Sequence, residues 1–88
     1  MRSLVFSNKD FQFIEEKYSD LYNILLPKIL HENGKLFYPM YSNQDYDYVF
    51  DIFGDYIGDS LDSKGELSSD GLKLERIWDY ADGAEEWH

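Results

Sequence analysis

The sequence predicts a single mainly helical, acidic domain over residues 1–88: a small three- to four-helix bundle, with the option of one short edge strand near residues 35–41. Three observations support this fold class. A serine with the spacing of a helix N-cap and a hydrophobic staple occurs three times. Apolar residues recur at intervals of three and four after these serines. Aromatic residues make up 18% of the chain and supply large rings for a core that is small in so short a domain.

The first helix is predicted over residues 8–32, behind the cap Ser7. Its apolar stripe consists of Phe11, Ile14, Tyr18, Leu21, Leu25 and Ile29. Asn33-Gly34 is interpreted as the stop, because glycine tolerates the left-handed conformation that ends many helices. Pro27 cannot donate a helical hydrogen bond, so we expect a kink near residues 23–26 or two shorter helices.

The rest of the chain contains a connector and two more helices. Residues 35–41 (KLFYPMY) are expected to be an extended, packed connector or a short strand, which Pro39 would confine to a sheet edge. The second helix is predicted over residues 43–61, behind Ser42. The third is predicted over residues 69–81, behind Ser68, with apolar positions 74, 77, 78 and 81 on one face. A strand over residues 71–80 is the alternative, because the apolar residues there alternate in part.

The charge is distributed unevenly along the chain. The net charge is −10, and residues 1–44 are neutral, with five bases and five acids. Residues 45–88 carry thirteen acids and three bases, so the whole imbalance lies in the second half. Such a surface repels nucleic acid and anionic lipid and attracts a cationic partner. The alternative is that the charge serves solubility alone.

The residues that catalysis or metal binding would require are mostly missing. The chain has no cysteine, hence no disulfide, zinc-thiolate site or thiol nucleophile. It has no HExxH, phosphate-binding glycine loop or GxSxG motif, and its Asp-rich run over residues 51–66 lacks EF-hand spacing. His31 is interpreted as a helix cap. We therefore expect no enzyme, no metal and no cofactor. With no signal peptide and no membrane-length apolar run, the expected location is cytoplasmic.

The second predicted helix has a period of four. One column is acidic: Asp47, Asp51, Asp55 and Asp59. Another is apolar and is assigned to the core, with Phe50 inside it: Val49, Phe53, Ile57 and Leu61. Like charges four residues apart destabilise a helix by about 0.2–0.5 kcal/mol per pair, and interior glycines such as Gly54 and Gly58 each cost about 0.5–1 kcal/mol. Residues that disfavour their own helix indicate a functional surface, so the Asp column is the predicted partner-binding face.

Tyrosines flank this acidic column. Tyr46, Tyr48 and Tyr56 are added to the predicted partner-binding surface, because tyrosine contributes large contact area at low entropic cost. The alternative is that some of these rings complete the core. The spacing of Gly54 and Gly58 also suggests that another backbone could approach closely.

In size, acidity and helical content the chain resembles the immunity proteins that bacteria make against nuclease colicins and related polymorphic toxins. The members that act on DNase colicins bind with acidic helices and a Tyr-Tyr-Pro turn. Phe37-Tyr38-Pro39 precedes the acidic helix here and is similar to that turn, so the resemblance adds Tyr38 to the predicted binding residues. It implies a small inhibitor of a basic toxin such as a nuclease. Two alternatives stay open: a nucleic-acid mimic that binds DNA-binding proteins, and a structural or adaptor subunit. A homodimer is not predicted, since ten negative charges per chain oppose it.

Overall fold

The computed structural model describes residues 2–83 and 86–87, and its fold is α+β. The elements in chain order are β1 (Arg2–Phe6), α1 (Asn8–Lys17), α2 (Ser19–Leu25), a 3₁₀ turn (Leu26–Lys28), β2 (Leu30–Glu32), β3 (Lys35–Met40), α3 (Asn43–Gly58), α4 (Ser69–Gly83) and the two-residue β4 (Glu86–Trp87). The strands form one antiparallel sheet in the order β2-β3-β1-β4. The predicted mainly helical bundle with one short edge strand is therefore wrong.

The central strand β1 was not predicted at all. It pairs with β3 along its whole length, from Arg2 opposite Met40 to Phe6 opposite Leu36. Its residues from Ser3 to Phe6 are all buried, so both faces of the strand are covered. A strand that is buried on both faces has no alternation of polar and apolar residues. For that reason the run Leu4-Val5-Phe6 carried no periodic strand signal.

Asn33-Gly34 is the turn of a hairpin between β2 and β3 rather than the stop of a helix. Both residues have positive φ, 51° at Asn33 and 76° at Gly34. A two-residue hairpin turn of type I′ needs this conformation at both positions, and Asn-Gly is its preferred sequence. Leu30 pairs with Phe37 and Glu32 with Lys35 on either side of the turn. The helix predicted to reach residue 32 consequently ends much earlier.

Pro39 lies in an inner strand, and the expectation of an edge strand is corrected. β3 has β1 on one side and β2 on the other. The pairing with β2 extends only to Phe37, whereas Pro39 is opposite Ser3 of β1. Among the described strands, β3 therefore has one neighbour at Pro39, and the missing N–H is accommodated on its open side.

The first predicted helix is two shorter helices, and the second of them ends at Leu25, inside the window 23–26 in which Pro27 predicted a break. The break between the two helices was not predicted. It falls at Tyr18, whose φ of −137° and ψ of 60° are not helical. The Tyr18 hydroxyl lies 2.8 Å from Ser60 Oγ, so this tertiary hydrogen bond holds the break against the end of α3. Pro27 lies in the 3₁₀ turn that follows α2, where no helical hydrogen bond is lost.

The three predicted N-caps are confirmed. The Oγ atoms of Ser7, Ser42 and Ser68 accept hydrogen bonds from the backbone N–H three residues later, at 3.1, 3.2 and 3.1 Å. Residues 69–83 are helical, so the alternative of a strand over residues 71–80 is excluded. Each cap satisfies one backbone donor that a helix start would otherwise leave unpaired.

The helices contribute to one core together with Leu4 and Phe6 of β1 and alternate residues of β3. In α3, Phe53 stacks on Phe6 at 6.2 Å between ring centroids and lies 4.9 Å from Trp78 of α4. α3 and α4 run antiparallel, and Ser60, just after the end of α3, approaches Gly71 of α4 closely. A Cβ on Gly71 would lie 2.5 Å from Ser60 Cβ, so only glycine fits there.

Candidate binding face on helix α3

The candidate site is the outer face of α3, which we define by six exposed residues. Asp51 lies about 160° around the helix from the buried Val49 and Phe53, so it points away from the core. The residues of this outer face are Asp47, Tyr48, Asp51, Gly54, Asp55 and Gly58. Asp59, the fourth aspartate of the predicted column, is the exposed C-cap residue. The structure therefore places three of the aspartates along one side of α3 and the fourth at its C-cap, in the order that the period of four predicted.

The outer face has no counter-charge of its own. α3 contains no lysine or arginine. Within the described part of the chain, the carboxylates of Asp47, Asp51 and Asp55 make no hydrogen bond and no ion pair. Asp59 lies near the C-terminal end of the helix dipole, which disfavours negative charge. These four side chains are exposed, and α3 itself contributes no base that would offset the repulsion among their carboxylates.

Tyr38 does not belong to this surface. It is in the middle of β3 and only 1% exposed, so it is a core residue. Lys28 Nζ lies 5.8 Å from the centroid of its ring. Burial raises the pKa of Tyr38, and nearby Tyr48 and Asp45 raise it further. The Phe-Tyr-Pro segment is thus part of a buried strand, and its similarity to an exposed recognition turn does not extend to structure.

Tyr46 and Tyr56 are both partly buried and pack against the core. The Tyr46 ring stacks on Phe50 at 6.0 Å, and the Arg2 guanidinium lies 4.9 Å from its centroid. Tyr56 meets Tyr18 edge to face at 6.1 Å. Burial raises the pKa of Tyr56, and the carboxylates of Asp20 and Asp59 add to this shift. Contacts with neighbouring rings therefore explain why Tyr46 and Tyr56 are partly buried, as the alternative of a core role proposed.

Tyr48 and Phe50 are the large exposed rings of α3. Tyr48 is 55% exposed and belongs to the outer face, beside Asp51 one turn later. Phe50 is 48% exposed, although the sequence assigned it to the core. It lies about 100° around the helix from Val49, on the rim of the buried side, with Trp78 at 5.8 Å. This angle could have predicted the exposure of Phe50 from the sequence, because Phe50 does not belong to the column of period four that contains Val49 and Phe53.

The remainder of the predicted apolar column is less buried than expected. Ile57 is partly buried, and Leu61 lies beyond the end of α3, half-exposed and bridged to Leu67. Helix α4 adds exposed acids, Glu75 and Asp79, on the second helix of the antiparallel pair. Exposed acidic residues are therefore present on α4 as well as on α3.

Among the described residues, no three His, Asp or Glu side chains are grouped so that they could hold a metal ion. His31 is exposed on β2 and does not cap a helix, which corrects the prediction for that residue. None of the helices in residues 2–83 has both the length and the apolar character that crossing a membrane requires. The outer face of α3 can act by charge and by exposed aromatic area.

No protein-family profile matches this sequence, and the comparisons with curated proteins and with solved structures found no match either.

Proposed function

We propose that this domain binds a basic protein through the outer face of α3 and inhibits it, as immunity proteins inhibit their toxins. The observation that carries the proposal is the arrangement of Asp47, Asp51, Asp55 and Asp59. All four are exposed, and none forms an ion pair with a base in the part of the chain that the structure describes. They follow one another at intervals of four along α3 and its C-cap.

The energetic argument is that folding does not explain this arrangement. Three successive like-charged pairs four residues apart together cost about 0.6–1.5 kcal/mol. Gly54 and Gly58 add to the cost, although a Cβ at either position would meet nothing within 4 Å. Solubility alone could be achieved with Glu and Lys interleaved, which stabilise a helix. Binding to a cation-rich surface would explain why these residues are present although they lower the stability of the helix.

Two aromatic rings make the face more than a charged surface. Tyr48 lies among the aspartates, and Phe50 is about half-exposed at the rim of the buried side of α3. Aromatic side chains surrounded by polar groups are frequent energetic centres of protein interfaces. We expect the partner to present lysines and arginines around an apolar depression. The net charge of −10 would accelerate the encounter with such a surface.

The first test is capture of a partner by the immobilised domain and by two variants that each lose two charges. Asp51→Asn/Asp55→Asn removes charge from the outer face. Glu16→Gln/Glu32→Gln removes the same charge from exposed positions on α1 and β2. The association rate of the purified partner is then measured at several salt concentrations. We expect the Asp variant to associate about tenfold more slowly, with a weaker salt dependence, and the control to stay within about twofold of the wild type. Equal rates for the two variants would show that the outer face is not the interface.

The second test addresses inhibition. The captured protein should be basic, and its activity, for example nuclease activity, should fall in proportion to the amount of domain added. A partner whose activity is unaffected by saturating domain would contradict the inhibitor role. If duplex DNA displaced the domain from several unrelated DNA-binding proteins, the domain would instead be a nucleic-acid mimic.

A further inference from the structure

A groove between α1 and α4 has a charge opposite to that of the rest of the molecule. It is open to solvent and has a volume of about 590 Å³. Its lining residues are Asp10 of α1 and Ser69, Leu72, Lys73, Arg76 and Ile77 of α4. The five residues of α4 follow the spacing i, i+3, i+4, i+7, i+8, so one continuous side of the helix forms the wall. This side differs from the one that α4 presents to Phe53 through Trp78.

α4 contains two basic residues, Lys73 and Arg76, and both line this groove. The chain contains 18 acidic residues, yet neither cation forms an ion pair with a residue in the described ranges. Lys73 Nζ lies 4.6 Å from the centroid of the Phe13 ring, which holds the ammonium group beside the groove. Asp10 contributes the single negative charge, so the lining carries a net charge of +1.

We propose that this groove binds a small organic monocarboxylate. The net charge of the lining matches one negative charge. The guanidinium of Arg76 presents a planar pair of donors that suits a carboxylate, and Lys73 can supply a second cationic contact. The exposed Leu72 provides an apolar wall for the body of the ligand, and the largely buried Ile77 also lines the groove. The site and its ligand do not depend on the outer face of α3 or on the function proposed for it.

The same observations disfavour other anions. A dianion such as a phosphate ester would bring one charge more than the lining neutralises into the field of a protein whose net charge is −10. An inorganic anion would make no use of Leu72 and Ile77. The volume falls within the range of about 300–1,000 Å³ that is typical of small-molecule sites.

The test is a titration of the ¹⁵N-labelled protein, followed by amide chemical shifts. The probes are 4-phenylbutyrate, the uncharged 4-phenylbutanol and inorganic phosphate. We expect saturable shifts from 4-phenylbutyrate at the amides of Ser69, Leu72, Lys73, Arg76 and Ile77. The other two probes should bind at least about tenfold more weakly, because each lacks either the carboxylate or the apolar body.

Two variants determine whether the cations are responsible. Arg76→Gln should weaken the binding of 4-phenylbutyrate about tenfold. Lys64→Gln, which removes one charge from the connection between α3 and α4, should change it less than about twofold. The spectrum of each variant reports whether it is folded, and Lys73→Gln replaces Arg76→Gln if the latter is not. Shifts that do not saturate, equal binding of the alcohol or of phosphate, or equal losses in the Gln variants of the groove and of Lys64 would overturn the proposal.

Discussion

The inner and outer sides of α3 differ in whether folding explains their residues. On the inner side, Val49 and Phe53 are almost completely buried and Phe53 contacts rings from both β1 and α4. On the outer side, aspartates and glycines occupy positions where nearly any other residue would give a more stable helix. The inner side is explained by folding. The outer side is not, and this difference is the reason to look for function there.

The inner side should show the largest effect of any substitution in the helix. Phe53→Ala removes a ring that contacts Phe6 and Trp78, and we expect the free energy of unfolding to fall by about 3–5 kcal/mol. Urea denaturation followed by circular dichroism measures this quantity. Phe50→Ala serves as the matched control and should cost less than half as much, because that ring is half-exposed. Similar losses for the two variants would contradict the distinction between the inner side and its rim.

The contact between the end of α3 and the start of α4 should be the next most sensitive. Gly71→Ala places a methyl group against Ser60, and we expect a loss of about 1–3 kcal/mol in the free energy of unfolding. Ser60→Gly removes the obstructing atom and also the hydrogen bond to Tyr18. The double variant should therefore lose less than the sum of the two single losses in thermal or urea unfolding. Additive losses would show that the two positions do not touch in solution.

Local chemistry in the sequence predicted where three of the four helices begin. Ser7, Ser42 and Ser68 marked the starts of three helices, because a cap depends only on residues within one turn. Of the sheet, only β3 was offered, as the optional short strand near residues 35–41, and the rest was missed for two physical reasons. β1 is buried on both sides, so its apolar residues have no period of two. Asn33-Gly34 satisfies both a helix stop and a hairpin turn, and only the pairing of distant residues decides between them.

The candidate site was predicted in part, and the same principle explains which part. The aspartates repeat along one exposed helix, so their alignment follows from helix geometry alone. The exposure of the tyrosines does not follow from helix geometry, because it depends on their tertiary neighbours. Tyr38 is buried in a sheet that the sequence revealed only in part, whereas Phe50 stays half-exposed at the rim although Tyr46 and Trp78 lie beside it.

The outer side should respond to substitution in the opposite direction from the inner side. Gly54→Ala adds a methyl group into open space within a helix, and we expect the free energy of unfolding to rise by about 0.5–1 kcal/mol. Because Gly54 shares the outer face with Asp51 and Asp55, the same methyl group should weaken capture of a basic partner that approaches the helix closely. Urea unfolding and partner affinity are therefore measured on one variant. Gly83→Ala, near the end of α4 and also in open space, controls for a general effect of adding alanine. Higher stability together with lower affinity would show that glycine is kept at position 54 for binding. Higher stability with unchanged affinity would place the partner elsewhere on the molecule, and the outer side of α3 would then lose its functional explanation.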